Sequence, residues 1–339
     1  MKNLTNLYPD IEPFDRGHLE VGDGHRIYFE QCGNPSGLPA LFLHGGPGSG
    51  CTPQQRRFFD PARYRVILFD QRGCGRSTPR GCTRYNTTDL LLRDIELLRA
   101  HLGIERWLVV GGSWGASLAI AYGGKHLARV SGVLLRGVFL TGRRDLEWFF
   151  HESAALIPDA WHHYAAFAPK RHRRNLLHYY ARQLAGNDLA RAQAAAVEWA
   201  RFEHMALQPD ADPVGYAAPT ASALEALVDK YRVQAHYLIR RCFLDEPVLL
   251  RLASQLQGRP VAILHGRLDL VCRAANAWQV HRTIFGSRLR LVAGGGHSPF
   301  QPEMAAAMVE ALDAFARDGD FQAWGNPAPR ASDRALGVG

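Results

Sequence analysis

The strongest constraint on the fold is a series of short apolar runs, bounded by glycine or aspartate, that alternate with helical patterns. The runs are His18–Phe29, which reads as a hairpin around Asp23-Gly24, then Ala40–Leu43, Arg65–Phe69, Trp107–Val110, Val133–Leu135, Val261–Leu264 and Leu289–Val292. Runs this short and this uniformly apolar suit strands buried on both faces of a mostly parallel sheet. Between them, Thr88 to Leu102 carries Leu91, Ile95, Leu98 and Leu102 at helical spacing. Pro302 stands at a helix first turn, followed by Met304, Met308, Leu312 and Phe315 on one face. Strands alternating with helices predict a doubly wound α/β sheet.

The alternation stops between about Leu146 and Leu252, where only helical patterns occur. One stripe holds Leu176, Leu177, Tyr180 and Leu184, and an alanine-rich run from Asp188 to Leu207 forms another helix. Strand signals resume at Pro260, so the helical block reads as an insertion over one edge of the sheet. The expected division is a core of residues 1–142 and 256–322, a helical cap of residues 143–255 and a flexible tail of residues 323–339. Apolar residues make up 47% of the 339 and charged residues 21%, which excludes disorder for most of the chain. The net charge of +8 is spread along the sequence; the Lys170–Arg174 cluster lacks interleaved aromatics and reads as a solvated face, not a nucleic-acid site. No apolar run approaches the roughly 18 residues needed to span a bilayer, and the first ten residues have no signal-peptide core. The six cysteines show no CxxC pair, which predicts reduced thiols and a cytoplasmic location.

The chemistry is carried by Gly111-Gly112-Ser113-Trp114-Gly115, a G-x-S-x-G string between the strand Trp107–Val110 and the helical pattern Ala116–Tyr122. A nucleophile on so tight a turn needs small residues two positions away on either side, because larger side chains would strike the flanking strand and helix. The turn lifts the Ser113 hydroxyl out of the sheet, and the following helix N-terminus points amides at the same place. A serine hydroxyl is a weak nucleophile without a base, and two further turns supply the partners. His265-Gly-Arg-Leu-Asp269 follows one strand and Gly294-Gly-Gly-His297 follows the last. Both lie at the C-terminal ends of strands, where open α/β sheets gather their sites. The order Ser113, Asp269, His297 is that of the α/β-hydrolase fold. His44-Gly45-Gly46-Pro47-Gly48 follows the strand Ala40–Leu43, and the amides of Gly46 and Trp114 are the expected oxyanion hole. No metal-ligand spacing, dinucleotide fingerprint or P-loop occurs, so neither metal nor cofactor is expected.

Together His44–Gly48, Asp70-Gln-Arg-Gly-Cys-Gly-Arg-Ser77, Gly111–Gly115 and His265–Asp269 resemble the prolyl aminopeptidases, or proline iminopeptidases. The resemblance spans roughly residues 5 to 318, the insertion included. It implies an α/β-hydrolase-fold serine peptidase that releases N-terminal proline, with Ser113 as nucleophile, Asp269 as acid and His297 as base. It also implies an amine-binding glutamate at Glu203, in Trp199-Ala-Arg-Phe-Glu203. A second family glutamate, in Arg-Ile-Glu-Asn-His-Tyr, is matched by Arg232-Val-Gln-Ala-His-Tyr237, so Gln234 stands in its place. Phe139 matches one wall of the family's proline pocket, and Phe149 stands where tyrosine is common.

An ammonium entering a closed pocket needs a paired negative charge, and Glu203 alone balances one. On the residues alone, Glu203 also fits a helix-boundary glutamate reaching for water, and Phe139 and Phe149 fit ordinary core. The expected partners are short peptides with N-terminal proline; no nucleic acid and no membrane are expected, and a homo-oligomer is compatible with the chain. The alternative is a capped esterase or amidase with the same residues and another acyl preference, which Gln234 and Phe149 keep open. A non-catalytic binding protein on the same scaffold is opposed by the intact Ser, Asp and His set.

Overall fold

The computed structural model describes residues 7–208 and 219–327. Among the described residues nine strands form one sheet in the order β1-β2-β4-β3-β5-β6-β7-β8-β9. β1 (Asp15–Gly22) and β2 (His25–Gly33) are the expected hairpin, turning through Asp23 and Gly24, both at positive φ. β3 (Leu38–Leu43), β4 (Tyr64–Phe69), β5 (Trp107–Gly112), β6 (Val130–Arg136), β7 (Val261–Gly266) and β8 (Arg288–Val292) run parallel, as their uninterrupted apolar character requires. Buried side chains cover both faces. Leu41, Ile67, Val109 and Val133 join one cluster with α1 (Thr88–His101) and α2 (Trp114–Lys125). Phe42, Leu68, Val110 and Leu264 join another with α10 (Pro302–Asp318). That helix begins on Pro302, buries Met304, Met308, Leu312 and Phe315, and ends at Gly319 in the left-handed conformation.

Between β6 and β7 the described residues form helices only. They are α3 (Arg143–Phe150), α4 (Pro158–Ala166), α5 (Leu176–Ala185), α6 (Leu189–Leu207), α7 (Ala221–Leu238) and α8 (Glu246–Ser254). The Asp188 side chain caps α6 by accepting from the Arg191 amide at 3.0 Å. Aromatic rings fill the interior of this layer: Tyr164 stacks on Tyr180 at 4.2 Å and on Phe202 at 4.6 Å, and Trp199 stacks on Tyr231 at 5.3 Å. α9 (Ala274–Thr283) lies between β7 and β8.

Residues 323–327, which fall within the expected tail, pack on the core. Trp324 is buried against Phe321, Arg290 lies over its ring, and β9 (Asn326–Pro327) pairs antiparallel with β8. The remainder of that segment, residues 328–339, lies outside the described residues. Among the described residues no helix is long and apolar enough to cross a membrane.

Candidate active site

Ser113 sits between β5 and α2 with φ 58° and ψ −123°, a conformation that side-chain-bearing residues rarely adopt. Its neighbours explain why glycine surrounds it. A Cβ on Gly111 would overlap the Gly115 carbonyl, and one on Gly115 would overlap the Leu43 carbonyl of β3. The strained turn is held from the next strand, where the Arg136 carbonyl accepts from the Ser113 amide at 2.9 Å. Gly45, Gly46, Ser113, Phe139, Phe149, Glu203, Gln234 and His297 all line one cavity of about 190 Å³ between the sheet and the helical layer.

His297 Nδ1 and Asp269 Oδ2 are 2.8 Å apart, and both residues are buried. The other carboxylate oxygen of Asp269 accepts from the amides of Val271 at 2.9 Å and Cys272 at 2.8 Å. Burial alone would raise the Asp269 pKa. The His297 charge and hydrogen bond, the nearby His265 and the Cys272 amide outweigh burial and hold it below the usual carboxylate value. Among the described contacts no hydrogen bond joins Ser113 to His297; the Cys272 thiol is the group within hydrogen-bonding reach of the Ser113 hydroxyl. Burial pushes that thiol well above the ordinary cysteine range, so it stays protonated beside the serine.

The loop after β3 brings Gly46 to the cavity wall at φ 112°. The Trp114 amide stands at the first position of α2, before the helix's internal hydrogen bonds begin. The Trp114 indole turns inward and donates to Gln71 Oε1 at 2.9 Å. Gln71 also ties down the loop: its amide donates to His44 Nε2 at 3.0 Å, and its side-chain nitrogen donates to the His44 carbonyl at 2.9 Å. Much of the rest of the Asp70–Ser77 string is buried. Asp70 accepts from the Cys51 amide at 2.6 Å and from Arg76 Nε at 2.7 Å, while Arg72 makes a two-pronged pair with Asp94 at 2.5 and 2.8 Å.

On the wall of the same cavity, α6 and α7 bring Glu203 and Gln234 together. Gln234 Nε2 donates to Glu203 Oε1. Tyr231 OH donates to Glu203 Oε2 at 2.8 Å, and Lys230 Nζ reaches the same oxygen at 3.0 Å. Phe149 packs against Phe150 at 5.0 Å and Phe202 at 5.1 Å, forming one aromatic wall, with Phe139 on another.

Several residues here escape sequence reasoning. Arg136, fully buried at the end of β6, donates from Nη1 to the His297 carbonyl at 2.6 Å, so one residue fixes both the serine turn and the histidine loop. Gly137 leaves room for the His297 ring, which a Cβ there would meet at 3.2 Å. Lys230 lies one helical turn before Gln234, and that spacing is the signal that points to it. The arrangement has a hydroxyl on a strained turn, a carboxylate-bound imidazole and a second carboxylate, Glu203, on the wall of the same cavity. Such a set is suited to acyl transfer with recognition of a cationic acyl group.

A family model described as the alpha/beta hydrolase fold matches residues 39–302. A proline iminopeptidase from Xanthomonas citri is 45% identical over 317 residues, covering 92% of this chain and 100% of the relative. The chain belongs to the proline iminopeptidase family. The proline iminopeptidase of Arabidopsis thaliana is 41% identical over 91% of this chain and 82% of its own length, and that of Neisseria gonorrhoeae 36% identical over 91% and 98%. Among solved structures, an esterase from Rhodococcus sp. ECU1013 matches with TM-score 0.58 at 21% identity, covering 91% of this chain and 99% of that one. A proline iminopeptidase-related protein from Thermus thermophilus matches with TM-score 0.55 at 21% identity, covering 89% and 97%. These structural matches speak to the fold that the proline iminopeptidase family shares.

Proposed function

We propose that this chain is a serine aminopeptidase that releases N-terminal proline from short peptides. The single observation that carries the reading is one cavity lined both by Ser113 and the Asp269-bound His297 and by the hydrogen-bonded pair Glu203 and Gln234. A peptide amine held at Glu203 and Gln234 directs the first carbonyl toward Ser113, and the aromatic walls at Phe139 and Phe149 pack on the pyrrolidine ring. His297 takes the Ser113 proton as Oγ attacks that carbonyl, and Asp269 stabilises the resulting imidazolium. The amides of Gly46 and Trp114 donate to the oxyanion. As the tetrahedral intermediate collapses, the C–N bond breaks and His297 gives its proton to the leaving amine. Water, deprotonated by His297, then attacks the prolyl-serine ester, freeing proline and restoring the hydroxyl.

The closed site limits substrates to short chains, and the reading needs neither metal nor cofactor. A cytoplasmic location is part of the proposal, in keeping with six free cysteines. The test compares a proline arylamide, its N-acetylated form, an alanine arylamide and a p-nitrophenyl ester, each with wild type and Ser113→Ala. Fast release from free proline alone, lost in the variant, is expected. Ester cleavage indifferent to proline and to a free amine would replace this reading with a capped esterase.

A further inference from the structure

Resting on the amine subsite just assigned, we propose that Lys230 sets the specificity of that subsite: its own ammonium occupies Glu203 in the empty protein, and a substrate amine binds by displacing it. Lys230 Nζ lies 3.0 Å from Glu203 Oε2 and donates to Tyr231 OH at 3.1 Å, 4.4 Å from the centre of that ring. Both Lys230 and Glu203 line the cavity that holds Ser113 and His297. Gln234 brings no charge, so Glu203 and Lys230 cancel and the subsite is neutral before any substrate arrives.

The other charged residues on the cavity wall do not alter that balance at the subsite. Asp145 spends one oxygen on the Leu140 amide and the other on Arg273 and Asn276, while Arg136 is bound to the His297 carbonyl. One acceptor is left without a partner. Gln234 Oε1 is buried and makes no hydrogen bond, in a residue only 4% exposed. With Nε2 committed to Glu203, the amide oxygen is turned away from the carboxylate and awaits a donor.

The secondary ammonium of an N-terminal proline has two N–H donors. One satisfies Gln234 Oε1 and the other takes the place of Lys230 on Glu203 Oε2. The lysine backbone cannot retreat, because its carbonyl packs directly against Gly48 of the oxyanion loop. Its side chain can: it is 27% exposed against 17% for Glu203, so the flexible stem carries the head group to water while the carboxylate stays. Binding is then weakened by the fraction of molecules in which lysine holds the site.

The experiment measures kcat and KM separately for a proline arylamide, and the inhibition constant of free L-proline, in wild type, Lys230→Met, Lys230→Arg and Gln234→Glu. Lys230→Met keeps the stem and removes the charge. It should lower KM and the proline inhibition constant by about tenfold, with kcat little changed and no gain on the N-acetylated arylamide. Lys230→Arg keeps the internal cation and should show no such fall. Gln234→Glu adds a negative charge that lysine cannot cancel and should lower KM as well, which keeps the proposal testable if Lys230→Met does not fold. A KM that is unchanged or higher in Lys230→Met, or unchanged in Gln234→Glu, overturns the displacement. If neither wild type nor any variant prefers the free amine, the aminopeptidase reading itself fails and takes this proposal with it. A wild type that selects the free amine while both variants keep its KM sinks the lysine assignment alone.

Discussion

Replacing Asp269 by asparagine tests the site with almost no change of shape. Asp269 Oδ1 is fixed by two donors, the amides of Val271 and Cys272, so an asparagine must place its carbonyl oxygen there. Its NH₂ group then occupies the Oδ2 position, 2.8 Å from His297 Nδ1. The neighbouring His265 offers no escape: its Nδ1 accepts from the Val138 amide at 3.2 Å, leaving Nε2 to donate to the Cys272 carbonyl at 2.9 Å. An NH₂ donor facing Nδ1 forces His297 to accept there and to carry its proton on Nε2. That is the wrong nitrogen to be protonated for a base that must take the serine proton. A tautomer error of this kind, with the loss of carboxylate stabilisation, is worth about 10⁴ in kcat, or roughly 5.5 kcal/mol at 1.36 kcal/mol per decade. The assay is steady-state hydrolysis of a proline arylamide near pH 7, with a thermal melt to establish folding. A loss under about tenfold in a folded Asp269→Asn protein would refute the role given to this carboxylate.

Two further predictions concern the frame around the site. Gly115→Ala drives a methyl into the Leu43 carbonyl and should cost about 3 kcal/mol or prevent folding, whereas Gly103→Ala, at positive φ but with open space around it, should cost only about 1–2 kcal/mol; equal melting temperatures for the two would refute the packing argument. Burial holds His44 and His265 below the ordinary histidine value of 6.5. The unfolded chain therefore binds the extra protons, and stability is full above pH 6.5 and falls as the pH drops below it. Each ring should remove at most about 0.8 kcal/mol between pH 7.5 and 6.0, read from urea midpoints; a flat profile across that interval would contradict the assignment of both rings as neutral acceptors.

Where the sequence was readable, one physical cause dominated each position. β5 and β7 are buried on both faces, so their order appears as bare apolar runs. Gly111 and Gly115 are fixed by backbone contacts within a few residues or with the adjacent strand, which makes the serine turn visible as a motif. The short Asp-Gly turn announced the first hairpin, and Pro302 announced α10. What stayed hidden depends on contacts between distant segments. Trp324 and β9 are ordered because they lie on the edge of β8 and beneath Arg290, which tail composition does not reveal. Glu203 and Gln234 were legible one by one through a family resemblance. Their meeting with Lys230 needs α6 and α7 packed side by side. Arg136 lies just beyond the apolar run Val133–Leu135 and carries no motif; its link to His297, 161 residues away in the chain, belongs to the tertiary fold.

The central claim is that a prolyl group passes through Ser113, and the most direct measurement looks for that ester. Wild-type protein is mixed with an activated prolyl ester, quenched in acid on the millisecond scale, digested and mapped by mass spectrometry. A prolyl adduct on the peptide containing Ser113, absent from Ser113→Ala and lost when the quench is delayed, is the predicted result. Turnover with no adduct at any time point, or an adduct on Cys272 beside it, would contradict the account.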